Sequence, residues 1–311
     1  MNIMCKKHSK YIVCTIDDNY VEHCVVMLTS LFYNNKKSNF HVFILTNKLL
    51  DKNINCLETF FKWKKHSVEI INVDESLLKD APISGHLTLA TYYRILIPLL
   101  LPIDIDRVLF LDSDLIVKES VDSFWDSEIT NFSHIAIQNM GDNLPFVKKI
   151  GMPFTSKYFN AGILFINLKW WREKDVFSQC IDFISTKLNR ITFHDQDVLN
   201  GVLVDCWLEY PLKFNAQSYV FFNNSNKSEF NKEENDALSS PVIIHYTGSG
   251  DSKPWYYNNR HLLKHEYYKY LDKTVFKNSI PIGTPKFKVL TRRDKFYIFR
   301  MKIINKIKCV E

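Results

Sequence analysis

Three Asp-x-Asp triplets punctuate the sequence, and their surroundings differ. Asp104 and Asp106 follow Pro102 and precede an apolar run, which reads as a solvated turn. Asp195 and Asp197, in HDQDVLNG, open a helical pattern, where acids also cap free N–H groups and complement the helix dipole. Asp112 and Asp114 interrupt VLFLDSDLIV and so emerge at the carboxyl end of a buried strand. Residues i and i+2 of an extended chain point to one side. Two carboxylates held together repel unless a cation or proton lies between them. Oxygen ligands of this kind suit Mg2+ or Mn2+, which keep open positions for phosphate oxygens. The alternative reading is a plain strand-end turn.

VIIHYTGSGDSKPW, residues 242–255, repeats the design: an apolar run ends at His245, and Gly248, Gly250 and Lys253 follow. A lone histidine at a strand end is commonly hydrogen-bonded structure rather than a ligand. The glycines, however, would let backbone N–H groups approach an anion, and the lysine would supply charge for a phosphate. An imidazole beside two carboxylates also moves the expected metal from Mg2+ towards Mn2+. Since the chain has no G-x-x-x-x-G-K-[ST] loop, these pieces describe a metal-diphosphate site of another kind, and a nucleotide sugar fits it.

The elements that must position these residues alternate. A β-branched run at 11–16 stops at Asp17, Asp18 and Asn19, after which apolar residues recur at helical spacing from Val21 to Phe32. The pattern predicts further strands at 40–46 and 67–73, with a helix at about 51–65 between them. A helix-like stretch at 87–100 precedes the acidic strand. Nearly continuous apolar strands separated by helices imply an α/β fold with a mostly parallel sheet, whose carboxyl edge binds ligands. The second half is less regular. Strands are expected in HIAIQ, AGILFINL and PVIIHY, helices at about 175–188 and from Asp195, and a polar surface loop at 221–240. Trp170 and Trp171 read as packing residues.

Length and composition bound the rest. With 311 residues and 46% hydrophobic content, the chain suits one large α/β domain. A net charge of +6 is far from the density of a nucleic-acid binder. Seven scattered cysteines without a C-x-x-C pair imply reduced thiols in a cytosolic compartment. No apolar segment resembles a signal peptide or is long enough to span a bilayer.

The positive charge is concentrated at one end, where residues 285–311 carry nine Lys or Arg against two acids. On a helix, Phe296, Phe299, Ile303 and Ile307 would form a stripe flanked by lysines, suited to an anionic membrane surface. A disordered, solvated end is the other reading. The expected organisation is therefore a catalytic domain over 1–270 and a basic segment over 271–311, peripheral on the inner face of the cytoplasmic membrane.

IDDNY, TYYR, FLDSDLIV, YFNAGILFINLKWW, HDQDVLNG and HYTG followed by KPW occur in this order over about residues 11–255. Together they resemble glycosyltransferase family 8, the branch of bacterial lipopolysaccharide α-galactosyl- and α-glucosyltransferases. The resemblance implies a GT-A fold and transfer of a hexose from a UDP-sugar to a saccharide or glycolipid acceptor, with retention of configuration. It implies Mn2+, or Mg2+, held by Asp112, Asp114 and His245. By the same match Asp17 and Asn19 would hold the uridine, with Thr15 shaping the uracil pocket. Ser113 would hold the ribose, Arg94 the phosphate and sugar side, and Gly248 and Lys253 the diphosphate. Asn160, Ala161, Asp195 and Gln196 would form the donor-sugar pocket, and His86 would face the acceptor. The family spaces its last motif H-x-x-G-x-x-K-P-W, whereas SGDS separates Gly248 from Lys253 here, which predicts a longer, flexible loop.

Leaving UDP must accept negative charge, which the metal and Lys253 would offset. Retention needs either an enzyme nucleophile, for which Gln196 and Asp197 are the nearest motif candidates, or attack from the face that UDP leaves. The second route fits better, because a neutral amide is a poor nucleophile. Two other readings compete: a UDP-sugar-binding protein without transfer activity, and a metal-dependent phosphohydrolase.

Overall fold

Every apolar run read as a strand in the first half becomes one, because each is bounded by a polar turn that ends its pairing. The computed structural model describes residues 10–62, 65–84, 88–222 and 231–285. His86 and the basic tail from residue 286 onward therefore lie outside the described residues.

Strands β1 (Lys10–Thr15), β2 (Phe40–Thr46), β3 (Ser67–Asn72), β4 (Arg107–Leu111), β6 (His134–Gln138), β7 (Phe159–Asn167) and β8 (Leu208–Glu209) form a seven-stranded sheet. Its order is β3-β2-β1-β4-β7-β6-β8. The β1–β2, β2–β3, β1–β4 and β6–β8 pairs are parallel, whereas β7 runs antiparallel to both β4 and β6. A second sheet of three short strands has the order β5-β10-β9, from β5 (Leu115–Val117), β9 (Ala216–Gln217) and β10 (Ile243–His245).

Both faces of the large sheet are covered, which is why its strands read as continuous apolar runs. Ile12 and Leu109 pack with the helices Val21–Asn34 and Asp51–Lys62. Val13, Val108 and Phe110 face the other way, into a core with Tyr92, Trp171 and Phe183. Each such large side chain, fully buried, stabilises the fold by about 1.5–3 kcal/mol.

Two expectations are corrected. The stretch at 89–100 is not one α-helix: Leu89–Leu96 is a 3-10 helix, and a short α-helix, Ile97–Leu100, follows. Pro98 has no N–H to return to the Arg94 carbonyl, and the Ile97 N–H takes that carbonyl instead. The polar segment expected to be loop contains the helix Lys232–Ser239. Asn231 and Glu234 start it with a reciprocal capping box, a signal legible as N-x-x-E.

The chain beyond residue 270 stays against the domain as far as Ile282. Ile282 exchanges backbone hydrogen bonds with Trp255 and Tyr257, at 2.8 and 2.9 Å. Among the described residues, no helix is long and apolar enough to cross a membrane, and the five described cysteines are free thiols.

Candidate active site and metal centre

The two sheets meet at Asp112–Asp114. Asp112 follows β4, Ser113 and Asp114 turn the chain, and β5 leaves into the smaller sheet. The pair thus sits in a turn rather than on an extended strand, yet its side chains converge. Strand β10 pairs antiparallel with β5, setting His245 opposite Leu115. One ligand atom from each of Asp112, Asp114 and His245 lies within 4.8 Å of the others.

Burial pushes the Asp112 carboxyl up to about 6, against the pull of Arg94 and with repulsion from Asp114. Burial acts the same way on Asp114, but Lys253 and His245 outweigh it and hold that carboxyl far below its usual range.

These residues fit a divalent cation. Asp114 Oδ1 is buried without a hydrogen-bond partner, although His245 Nε2 stands 3.3 Å away. Gly162, in the middle of β7, backs the cluster closely. A Cβ added there would meet His245 Cε1 at 2.4 Å and Asp112 Oδ2 at 2.7 Å. A donor set of two carboxylates and one imidazole suits Mn2+, with Mg2+ the harder alternative.

A cleft of about 150 Å³ opens beside the cluster. Thr15, Asp17, Arg94, Ser113, Gly248 and Lys253 line it together with the two acids. Ser113 Oγ is buried and makes no hydrogen bond, so it is free to meet a ligand hydroxyl there. Asn19 is not among the lining residues. Its backbone N–H closes a turn on Asp17 Oδ1 at 2.9 Å, and its side chain borders a neighbouring cavity with His23 and Trp255.

Arg94 ties the cleft to the HDQD segment. Its Nη2 lies 2.8 Å from Asp112 Oδ1 and its Nε 3.0 Å from Asp195 Oδ2. Nη1 donates to the Ala161 carbonyl, and the guanidinium covers the Phe110 ring at 4.3 Å. Asp195 also accepts from Thr91 Oγ1 at 2.5 Å. Asn160 and Gln196 interlock beside it: Gln196 Oε1 accepts from the Ala161 N–H at 3.0 Å and from Asn160 Nδ2 at 3.2 Å.

Asp197, the sequence candidate for a nucleophile, is built differently. It is wholly buried; Oδ1 accepts from Tyr158 Oη at 2.6 Å and Oδ2 from the N–H groups of Thr192 and Phe193 at 2.6 and 2.7 Å. With both oxygens spent on those donors, it is a structural acid that organises the start of the helix His194–Val202.

The SGDS insertion does not loosen Lys253. Gly250–Ser252 closes into a 3-10 turn, and Gly248 supplies the left-handed φ of +93° that the turn requires. Trp255 stacks on His23 with ring centres 3.5 Å apart, anchoring the turn to the helix Val21–Asn34. Lys253 Nζ reaches Asp114 Oδ2 and donates to the Tyr246 carbonyl at 2.6 Å.

Residues 11–259 match the profile of Glycosyl transferase family 8. The chain belongs to glycosyltransferase family 8. General stress protein A of Bacillus subtilis is 31% identical over 288 residues, covering 91% of this chain and 99% of that protein. The lipopolysaccharide 1,3-galactosyltransferase of Salmonella typhimurium is 30% identical over 254 residues, 78% of this chain and 71% of that protein. The crystal structure of galactosyltransferase LgtC with donor and acceptor sugar analogues superposes with a TM-score of 0.76 at 23% identity, covering 88% and 98% of the two chains. The fold is therefore GT-A, as the motif order implies, and the chain is a glycosyltransferase related to lipopolysaccharide glucosyl- and galactosyltransferases.

Two residues at the site escaped the sequence reading. Gly162 carries a signal in hindsight, since a glycine inside an otherwise apolar strand marks a close approach. Asn215, whose Oδ1 lies 2.9 Å from His245 Nδ1, carries none.

Proposed function

We propose that this protein transfers a hexose, galactose or glucose, from a UDP-sugar to a saccharide acceptor with retention of anomeric configuration. The observation that carries this reading is the convergence of Asp112, Asp114 and His245 within 4.8 Å at the carboxyl edge of the sheet, beside a cleft bordered by Lys253. Relatives support the choice of acceptor: besides the galactosyltransferase, a lipopolysaccharide 1,2-glucosyltransferase of Escherichia coli is 25% identical over 269 residues. A lipopolysaccharide core or another bacterial surface glycan is the proposed acceptor. The basic tail would hold the enzyme against the inner face of the cytoplasmic membrane, where a lipid-linked glycan is presented.

In this reading Asp112, Asp114 and His245 hold Mn2+, which when bound neutralises charge building on the departing diphosphate. Lys253 turns from Asp114 to the same phosphates, adding a fixed positive charge. Asp17 and Thr15 meet the uracil end, and Ser113 gives its unpaired hydroxyl to the ribose. Arg94, clamped by Asp195, faces the sugar and phosphate, and Asn160, Ala161 and Gln196 edge the hexose. His86 is assigned to the acceptor side by its motif alone. With Asp197 buried and hydrogen-bonded through both oxygens, attack from the face UDP leaves is the route this reading favours.

The deciding experiment is a panel of UDP-sugars with Mn2+, scored for UDP release with and without a saccharide acceptor, and repeated on Asp114→Asn. One hexose should dominate, release should rise with acceptor, and the variant should lose at least about a hundredfold. Undiminished release by Asp114→Asn would refute the metal assignment, and hydrolysis of plain phosphate esters would favour a phosphohydrolase instead.

A further inference from the structure

The amide of Asn215 stands between His245 and Asn160, and its orientation is fixed from outside the pair. The Gly162 N–H donates to Asn160 Oδ1 at 3.1 Å, which identifies that atom as the oxygen. Asn160 Nδ2 in turn points to Gln196 Oε1, and Gln196 Oε1 is fixed as an oxygen by the Ala161 N–H. Two consecutive backbone N–H groups of β7 thus set the direction of both amides. Asn215 Nδ2 donates to Asn160 Oδ1 at 2.9 Å, so Asn215 Oδ1 must be the atom that faces His245 Nδ1 at 2.9 Å. An amide oxygen only accepts, so Nδ1 carries the proton. The electron pair on Nε2 of the neutral ring then points towards Asp114 Oδ1, 3.3 Å away.

We infer that Asn215 is the positioning residue that commits His245 to the Nδ1–H tautomer and so makes Nε2 a ligand. This rests on the metal reading proposed above and adds to it the group that selects the ligand atom. Ligating histidines depend on such a partner at the other ring nitrogen, and losing it costs about 10- to 100-fold in metal affinity. Asn215 and Asn160 are 0% and 7% exposed, so water does not compete for these bonds. Without the Asn215 oxygen, Asp114 draws the ring proton to Nε2, and the hydrogen bond that forms closes the site to a cation.

The test has two readouts that do not need turnover. Nitrogen-15 spectra of histidine-labelled, metal-free protein, taken where the ring is neutral, report the tautomer; His245→Gln identifies the signal by its disappearance. Wild type should show Nδ1 protonated, and Asn215→Ala should move the proton to Nε2. Calorimetric titration with Mn2+ should show about a 10- to 100-fold loss in Asn215→Ala. Asn215→Asp keeps an acceptor at Nδ1 and should retain the tautomer, although it sets an oxygen against Asn160 Oδ1 and should cost stability.

A wild-type spectrum with Nδ1 unprotonated would overturn the inference, and needs no variant to fold. Unchanged Mn2+ affinity in Asn215→Ala, or a ring proton that stays on Nδ1 in that variant, would overturn it as well. If wild type binds no Mn2+, or Asp114→Asn binds it as wild type does, the metal reading itself falls, which the titration distinguishes from failure of Asn215 alone.

Discussion

Lys253 and Asp114 form an ion pair in which the lysine takes one carboxylate oxygen, Oδ2, and leaves Oδ1 buried beside His245 without a hydrogen bond. Lys253 is itself enclosed, 6% exposed, and its ammonium is also held by the Tyr246 carbonyl. It stands in for part of the charge that a divalent cation would bring. A cation binding at Asp114 must therefore compete with Lys253, whereas a diphosphate would draw the lysine away. Removing the charge should have opposite effects on the two ligands. Lys253→Met is expected to bind Mn2+ about tenfold more tightly without nucleotide, and UDP about tenfold more weakly with Mn2+ present. Titration calorimetry of both measures this, and weaker Mn2+ binding by the variant would contradict it.

Gly162 offers a test in which no ligand group is removed. Its missing side chain makes room for His245 Cε1 and Asp112 Oδ2. Since β7 is buried along its whole length, the strand cannot step back to admit a methyl group. Gly162→Ala should cost about 1–3 kcal/mol of stability through overpacking and push the histidine and the carboxylate apart. Thermal unfolding and Mn2+ titration should both show a loss. A variant as stable as wild type with full metal affinity would mean that the close contact is relieved easily.

How much of this was legible beforehand follows from where each signal resides. β2 was readable at both ends, because an apolar run closed by polar turns is a local property. Asp112, Asp114 and His245 were readable as candidates because each sets a polar ligand group at the edge of an apolar run. The broken helix at 89–100 was not, since the helical spacing of its apolar residues outweighed the single missing donor at Pro98. The helix Lys232–Ser239 was hidden by its polarity, with only its capping box as a cue. Asn215 was beyond reach: it touches His245 thirty residues away and Asn160 fifty-five residues away, and only the folded sheets bring the three together.

Glu266 links the helix Lys264–Leu271 to the smaller sheet and makes stability depend on pH. It opens the helix Lys264–Leu271 and pairs with Lys118 at 3.2 Å and Lys269 at 3.1 Å. Burial alone would raise its carboxyl, but the two lysines outweigh that and hold it below its usual value of 4.5. A folded-state pKa below the unfolded one gives stability that is present above the unfolded value and lost as pH falls through the folded one. Glu266→Gln should therefore melt lower than wild type at neutral pH, by about 1–2 kcal/mol. The gap should narrow as the pH drops below about 4.5. A gap that stays constant down to pH 3 would show that packing, not charge, sets the difference.

Asp197 separates the two routes to retention. An enzyme nucleophile must reach the anomeric carbon with a free oxygen pair, and Asp197 has both oxygens committed to three donors at 2.6–2.7 Å. Asparagine in its place can keep its one carbonyl oxygen on the Thr192 and Phe193 N–H groups, but its amide NH2 then faces Tyr158 Oη, whose O–H loses its acceptor, and the charge that strengthened all three bonds is gone. The expected cost is about 1–3 kcal/mol, from bonds to a neutral oxygen and a displaced Tyr158 hydroxyl. Turnover measured well below the melting point should fall only in so far as Gln196, the preceding residue on the same helix, is displaced. Asp195 and Arg94 stay paired on their own geometry. Calorimetric melting and steady-state rates of Asp197→Asn decide the matter. A stable variant with abolished transfer, or a trapped sugar on Asp197 in mass spectra of wild type, would restore the nucleophile. An unstable variant that still turns over would leave same-face attack as the mechanism this site supports.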